Sequence, residues 1–339
     1  MVLAGVVAAS FVAAPAATIR CVVEDPRLAE LSGLVSDDGG LWATSDGGRR
    51  VQVHRLDASA PTCAVTDTRT AAIDPFDVED LARGPGGSLW VADIGDNGRA
   101  RDSVAVIVLP VRGQARLHRL SYPDGPHDAE ALLVDADGRP VVVTKEVGRA
   151  AGVYRTKAPP EGTGPTPLRR VGEVVLPPSD TVGGPLGGPG SRVVTGAAAS
   201  ADGRVVALRS YTDAWLYPAP DGDPVAALGG VPVRVPLPGE PQGEAIAFEP
   251  DGTLLSGSET RGGTPGELRA VPGAAGLVEG RAQARSSSPT AVPDVPPAQE
   301  PQPAPEWLPA AIGGAVAVGL LLVVTTAMAV RAARRRRAC

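Results

Sequence analysis

A short segment recurs along this chain at intervals near fifty residues, and a repeat of that length restricts the architectures open to it. One copy reads Glu79-Asp80-Leu81-Ala82, then Gly86-Gly87-Ser88-Leu89-Trp90-Val91-Ala92-Asp93. A second reads Glu130-Ala131-Leu132-Leu133, then Asp137-Gly138 and Val141-Val142-Val143-Thr144. A third reads Glu244-Ala245-Ile246-Ala247, then Asp251-Gly252 and Thr253-Leu254-Leu255-Ser256. Weaker copies start at Ser32-Gly33-Leu34 and at Thr195-Gly196-Ala197. Each is an apolar strand, a turn with Asp-Gly or Gly-Gly, and a second strand, which is the pattern of a β-hairpin. Glu79, Glu130 and Glu244 lie 51 and 114 residues apart, and Thr195 divides the longer interval into 65 and 49.

A four-stranded propeller blade needs about fifty residues. The expected fold is therefore all-β, a five-bladed propeller, with the Gly-Pro-rich loop 183–190 leaving room for a divergent sixth blade. Further strands read at Val51–Leu56, Val104–Val111 and Val153–Thr156. The stretch Ile19–Val23 is expected to pair with the last blade and close the ring. An open array of β-sandwiches is the rival arrangement. Composition agrees with short strands and many turns, since the chain holds 42 glycines and 35 prolines with only 3% aromatic residues.

Both ends have a different character from the repeat region, which is expected to occupy residues 18–279. Leu308 to Val330 is a run of 23 residues without a charge. That is long enough to cross a hydrocarbon core of ~30 Å as a helix. Trp307 stands at one edge, and Arg331, Arg334, Arg335, Arg336 and Arg337 follow the other. Positive flanks remain cytoplasmic. The expected arrangement is a single span over 307–330 in contact with membrane lipid, a basic cytoplasmic tail over 331–339, and everything before the span outside. Residues 1–17 are apolar and end in small residues, as an export signal does, although they lack a basic start. Residues 280–306 are rich in proline and serine and read as an extended stalk. Cys21 and Cys63 fall in the outer region and Cys339 in the tail; in an oxidising compartment the first two are candidates for a disulfide.

Formal net charge is −6, and the terminal arginines leave the preceding region more acidic still. Such a surface repels phosphate backbones, which argues against nucleic acid, and it suits divalent cations. In a propeller the first strand of each blade lines the central channel. Here those strands open with Ser32, Glu79, Glu130, Thr195 and Glu244. Two positions earlier, on the same face if the strands alternate regularly, stand Glu30, Asp77, Asp128, Val193 and Gln242. Gathered carboxylates need a cation or protons to compensate them. With oxygen donors and one nearby histidine, His127, Ca²⁺ suits the set better than Zn²⁺. The alternative is structural: each Glu caps backbone N–H groups or pairs with an arginine of the next blade.

The second strands end in Asp46, Asp93, Glu146, Ser210 and Glu259. The run Asp93-Ile94-Gly95-Asp96-Asn97 supplies either cation ligands or an Asx-type turn. Lys145 stands beside Glu146, its simplest partner, with an anionic ligand as the other reading; Arg209 and Tyr211 leave the same two readings open. No Ser-His-Asp arrangement, zinc-ligand spacing or phosphate-binding loop is visible.

These hairpin starts, with Leu-Trp-Val-Ala-Asp-Ile-Gly-Asp-Asn at 89–97 and Val-Val-Thr-Lys-Glu at 142–146, resemble exported actinobacterial propellers. The chain is similar to the "esterase-like activity of phytase" group over residues 25–275, and more distantly to calcium-dependent lactonase and gluconolactonase propellers. The resemblance implies channel calcium held by Glu79, Glu130 and Glu244, although a catalytic histidine pair and a full Asn/Asp ligand set are missing. Two functions follow as expectations. One is a surface module that binds an extracytoplasmic ligand or an envelope protein; the other is a calcium-dependent esterase, lactonase or phytase-like hydrolase.

Overall fold

The structure is a computed structural model that describes residues 15–278 apart from Gly39 and Thr163. Its strands are β1 (Thr18–Val23), β2 (Leu31–Asp37), β3 (Gly40–Ser45), β4 (Val51–Asp57) and β5 (Ala64–Ala71). The second unit comprises β6 (Val78–Arg83), β7 (Leu89–Asp93), β8 (Val104–Leu109) and β9 (Arg116–Ser121). The third comprises β10 (Ala129–Val134), β11 (Pro140–Thr144), β12 (Ala151–Thr156) and β13 (Thr166–Val174). The fourth comprises β14 (Val194–Ala199), β15 (Val205–Ser210), β16 (Asp213–Pro218) and β17 (Val233–Pro236). The last holds β18 (Gly243–Phe248), β19 (Leu254–Ser258) and β20 (Gly266–Val271).

Each unit is an antiparallel meander, and β1 adds itself to β20 as the fourth strand of the last one. A short parallel pairing of β9 with β13 joins the outer edges of the second and third units. The first strands touch in the order β2, β6, β10, β14, β18, and β18 returns to β2. A closed ring of this kind is propeller-like and excludes the open sandwich array. No strand lies between β13 and β14 among the described residues, so loop 183–190 holds no sixth unit there.

Turn chemistry explains the hairpins. Gly138, Gly203 and Gly252 sit at φ 82°, 71° and 84°, a conformation that favours glycine. The carboxylate just before or within each turn accepts main-chain N–H groups, as Asp135 does from Asp137 and Arg139 and Asp251 does from Thr253. Alternation along the strands then divides the core. Leu132 and Val142 pack toward the second unit, while Leu133, Val141 and Val143 pack toward the fourth. Five apolar clusters fill the interfaces between neighbouring units, and the last, between the fifth and first, includes Leu28, Leu31, Leu255 and Leu268.

A disulfide joins Cys21 of β1 to Cys63, just before β5 of the first unit. Beside it, Val22 N donates to Pro61 O and Cys63 N donates to Val22 O. The closing strand is therefore held on both edges. No helix among the described residues is long and apolar enough to cross a membrane. The expected span, stalk and basic tail lie outside the described residues, as does nearly all of the expected signal segment.

Candidate functional site

Regular alternation does not place the acidic residues; a bulge does. In every first strand the ladder skips one residue, and the skipped residues are Ser32, Glu79, Glu130, Thr195 and Glu244. A bulge leaves one residue unpaired and turns its side chain away from the strand's usual faces. This corrects the expectation that those residues and the ones two places earlier share a face by simple period-two geometry. The bulges stand where the second strands end, so both acidic sets meet at one mouth of the ring.

Asp46, Asp77 and Glu79 converge there, with a carboxylate oxygen of each lying within 4.8 Å of the others. Asp46 comes from the end of the first hairpin, Asp77 and Glu79 from the start of the second. The Asp46 and Asp77 carboxyls lie close together, an arrangement that favours a shared proton or a cation. Burial, reinforced by the charge of Asp77, pushes Asp46 up to about 7. Burial also raises Asp77. Glu79 is pushed up to about 10 by burial and then by the charges of Asp46 and Asp77. Close by in charge terms, burial pushes Glu244 up to about 8 and Glu259 up to about 7. The positive charge of Lys145 opposes the shift in all three glutamates, Glu79, Glu244 and Glu259, and Arg209 adds to it at Glu244.

The remaining sequence candidates, apart from Asn97, have protein partners. Lys145 pairs with the bulged Glu130 rather than with its neighbour Glu146, because adjacent residues at a strand end point in opposite directions. Glu146 is met by Arg99 and Arg149. Gln242 bridges Glu244 and Glu259 through Nε2. Asp93 accepts from Phe76 N, Asp77 N and Arg101, and Asp96 accepts from Ala100 N and Arg101 N. Asp128 accepts from Asp96 N, and Asn97 is exposed. The 93–101 segment is thus a self-satisfied turn in which the carboxylates hold the backbone. His127 contacts Asp124 and the Tyr154 hydroxyl. Arg209 is fully buried against Glu240, and Tyr211 lies beneath Gly184 and beside Lys145.

The sequence marks Asp46 as one of the strand-end polar residues and not as one of the acidic ligands. The signal was available: Asp46 precedes a Gly-Gly pair at the same hairpin end that carries Asp93 in the next unit. Gly95 was equally silent. A Cβ at that position would lie 2.3 Å from Glu79 Oε1 and 2.4 Å from Asp77 Oδ2, so only glycine lets the turn close against the cluster. Gly95→Ala is expected to push the carboxylates apart and to weaken roughly 10- to 100-fold the hold on any divalent cation bound there. The ring itself should stay folded, because the clash is with side-chain ends. Calorimetric titration beside a melting curve without added cation checks both halves of that expectation.

The donors fit a hard cation. All three converging groups offer oxygen, with no sulfur or imidazole ligand among them. Glu130 stands outside this trio: Lys145 pairs with its Oε1, and its Oε2 is buried without a hydrogen-bond partner among the described residues.

Fold and site together define an all-β, propeller-like protein with a compact acidic centre at one mouth. No protein-family model matches the chain, and no curated protein matches it. Solved structures with a similar layout include a gluconolactonase from Xanthomonas campestris, 17% identical, covering 77% of this chain and 89% of that one at a TM-score of 0.41. The PQQ-bound aldose sugar dehydrogenase of Streptomyces coelicolor is 13% identical, with 76% and 99% covered at 0.39. A chain of a nidogen–laminin complex is 14% identical, with 67% and 72% covered at 0.37. Likeness at these values assigns no activity, and the fold rests on the chain's own sheet topology.

Proposed function

We propose that the protein is a five-bladed extracytoplasmic propeller that holds a divalent cation of the calcium class at Asp46, Asp77 and Glu79, and that it hydrolyses an ester, lactone or phosphoester there. The convergence of three carboxylates within 4.8 Å of one another carries the reading. Without a counter-ion such a group is costly, and it keeps protons that a cation would displace. When bound, the cation would polarise a carbonyl or phosphoryl oxygen.

The chain's own groups supply the other functions. Glu259 and Glu244, pushed up to about 7 and about 8, exchange protons near neutral pH and suit general acid–base work. Lys145, beside Tyr211 and Glu130, offers a cationic contact for a developing negative charge. The disulfide supports an oxidising compartment. The apolar run 308–330 and its arginines support a tether to the membrane, with the propeller on the outer side.

Calcium titrated into chelator-treated protein is expected to give heat, and Glu79→Gln to abolish it. Turnover of an ester, lactone and phosphoester panel should require the ion. Absence of heat at millimolar calcium would remove the reading. Binding without turnover of any substrate class would leave the ion in place and assign the mouth to ligand recognition instead.

A further inference from the structure

Asp80 breaks the repeat in a way the acidic mouth does not explain. The residue after the bulge is Gly33, Ala131, Gly196 or Ala245 in the other first strands, and only β6 carries an acid there. Asp80 is completely buried. No lysine, arginine or histidine among the described residues pairs with it, and its hydrogen-bond partners are main-chain N–H groups. Oδ1 accepts from Leu81 N at 2.8 Å, and Oδ2 accepts from Leu132 N at 2.8 Å and from Ala197 N at 3.2 Å. Those three N–H groups belong to β6, β10 and β14. Strands β6 and β14 are not neighbours in the ring, yet they touch, so the carboxylate spans the axis.

We infer that the axis of the propeller is an anion-binding nest of main-chain N–H groups from three units, and that Asp80 is its built-in carboxylate ligand. Inner strands that converge on an axis turn donors toward one another, and buried N–H groups need an acceptor. Two of the other four positions cannot provide one. A Cβ at Gly33 would lie 2.3 Å from Leu81 N, and one at Gly196 would lie 2.5 Å from Glu244 O. Asp80 supplies the missing acceptor in cis. Leu81, Leu132 and Ala197 also line a cavity of about 420 Å³ together with the far ends of the first strands. The assignment of Asp80 holds whether or not the mouth binds a cation.

Chemical rescue tests the nest. In the full-length protein, Asp80→Ala removes the carboxylate and leaves three donors around a space of its size. The variant is expected to melt below the wild type, and sodium formate to raise its melting temperature by several degrees more than it raises that of the wild type. An unchanged melting temperature, or equal formate responses in the two proteins, overturns the inference. If Asp80→Ala does not fold, Asp80→Asn keeps the volume but turns an amide donor toward N–H groups. Hydrogen exchange is then expected to quicken at whichever of Leu81, Leu132 and Ala197 faces that donor, relative to β8. Unchanged exchange at all three overturns the proposal.

Discussion

Replacing both Cys21 and Cys63 by serine is expected to destabilise the propeller by about 4 kcal/mol, the loop-closure value for a cross-link spanning 42 residues. For a domain of this size that corresponds to a fall in melting temperature on the order of 10 °C. The bond has this weight because of where it lies. A ring of sheets built from one chain has a seam where the last unit meets the first. Here β1 crosses the seam, pairing with β20 on one side and bonding to residues 61–63 on the other. Without the cross-link, only short ladders and the apolar cluster around Leu28, Leu31 and Leu268 resist opening. Thermal unfolding of the double variant beside the wild type, both without reductant, measures the effect. Equal midpoints would show that packing at the seam suffices. Reductant should shift the wild type toward the variant and leave the variant unmoved.

The ring itself was legible because its turns are written in a narrow alphabet. Asp137-Gly138, Asp202-Gly203 and Asp251-Gly252 each demand positive φ at one place, and the strands around them alternate over buried faces. The outer strands were not legible. β5, β9 and β13 are exposed or only partly buried over most of their length and carry no apolar period, each being the outermost strand of its unit. Half of the site was readable in the same sense. The repeat marked Glu79, Glu130 and Glu244 as equivalent, but equivalence is not convergence. Glu130 is taken by Lys145 and Glu244 is held by Gln242, while Glu79 finds Asp77 and Asp46. Nothing local distinguishes these three fates. They depend on the residue that each neighbouring hairpin end presents: Asp46 against the second unit, and Lys145 within the third. The bulge was hidden too, because a single extra residue leaves the apolar pattern of a six-residue strand almost unchanged.

The same cluster should make stability depend on pH with an unusual sign. In the unfolded chain Asp46 and Glu79 titrate near 3.8 and 4.5, whereas in the fold they are pushed up to about 7 and about 10. Glu259 and Glu244 move the same way, to about 7 and about 8. Between those limits the folded state binds more protons than the unfolded one, so stability must fall as pH rises. The contribution is fully present below pH 4 and is lost progressively toward pH 8, with Glu79 extending the loss to about pH 10. Chelator-treated protein is thus expected to melt at a lower temperature at pH 8.5 than at pH 5.5. A divalent cation replaces those protons, and its apparent affinity should rise roughly tenfold per pH unit for each proton displaced. Calcium at a hundredfold excess over its Kd at pH 8.5 should then raise the midpoint by roughly 5–10 °C at that pH, and the same calcium concentration by much less at pH 5.5. A calcium effect of constant size across this range would contradict the proposed exchange of ion for protons. The Asp46→Asn, Glu79→Gln double variant separates function from architecture. In chelator at pH 8.5 it should be more stable than the wild type, because the repulsion is gone, and calcium should no longer raise its midpoint. Carboxylates kept only to hold the backbone would give the opposite result, a variant less stable at every pH.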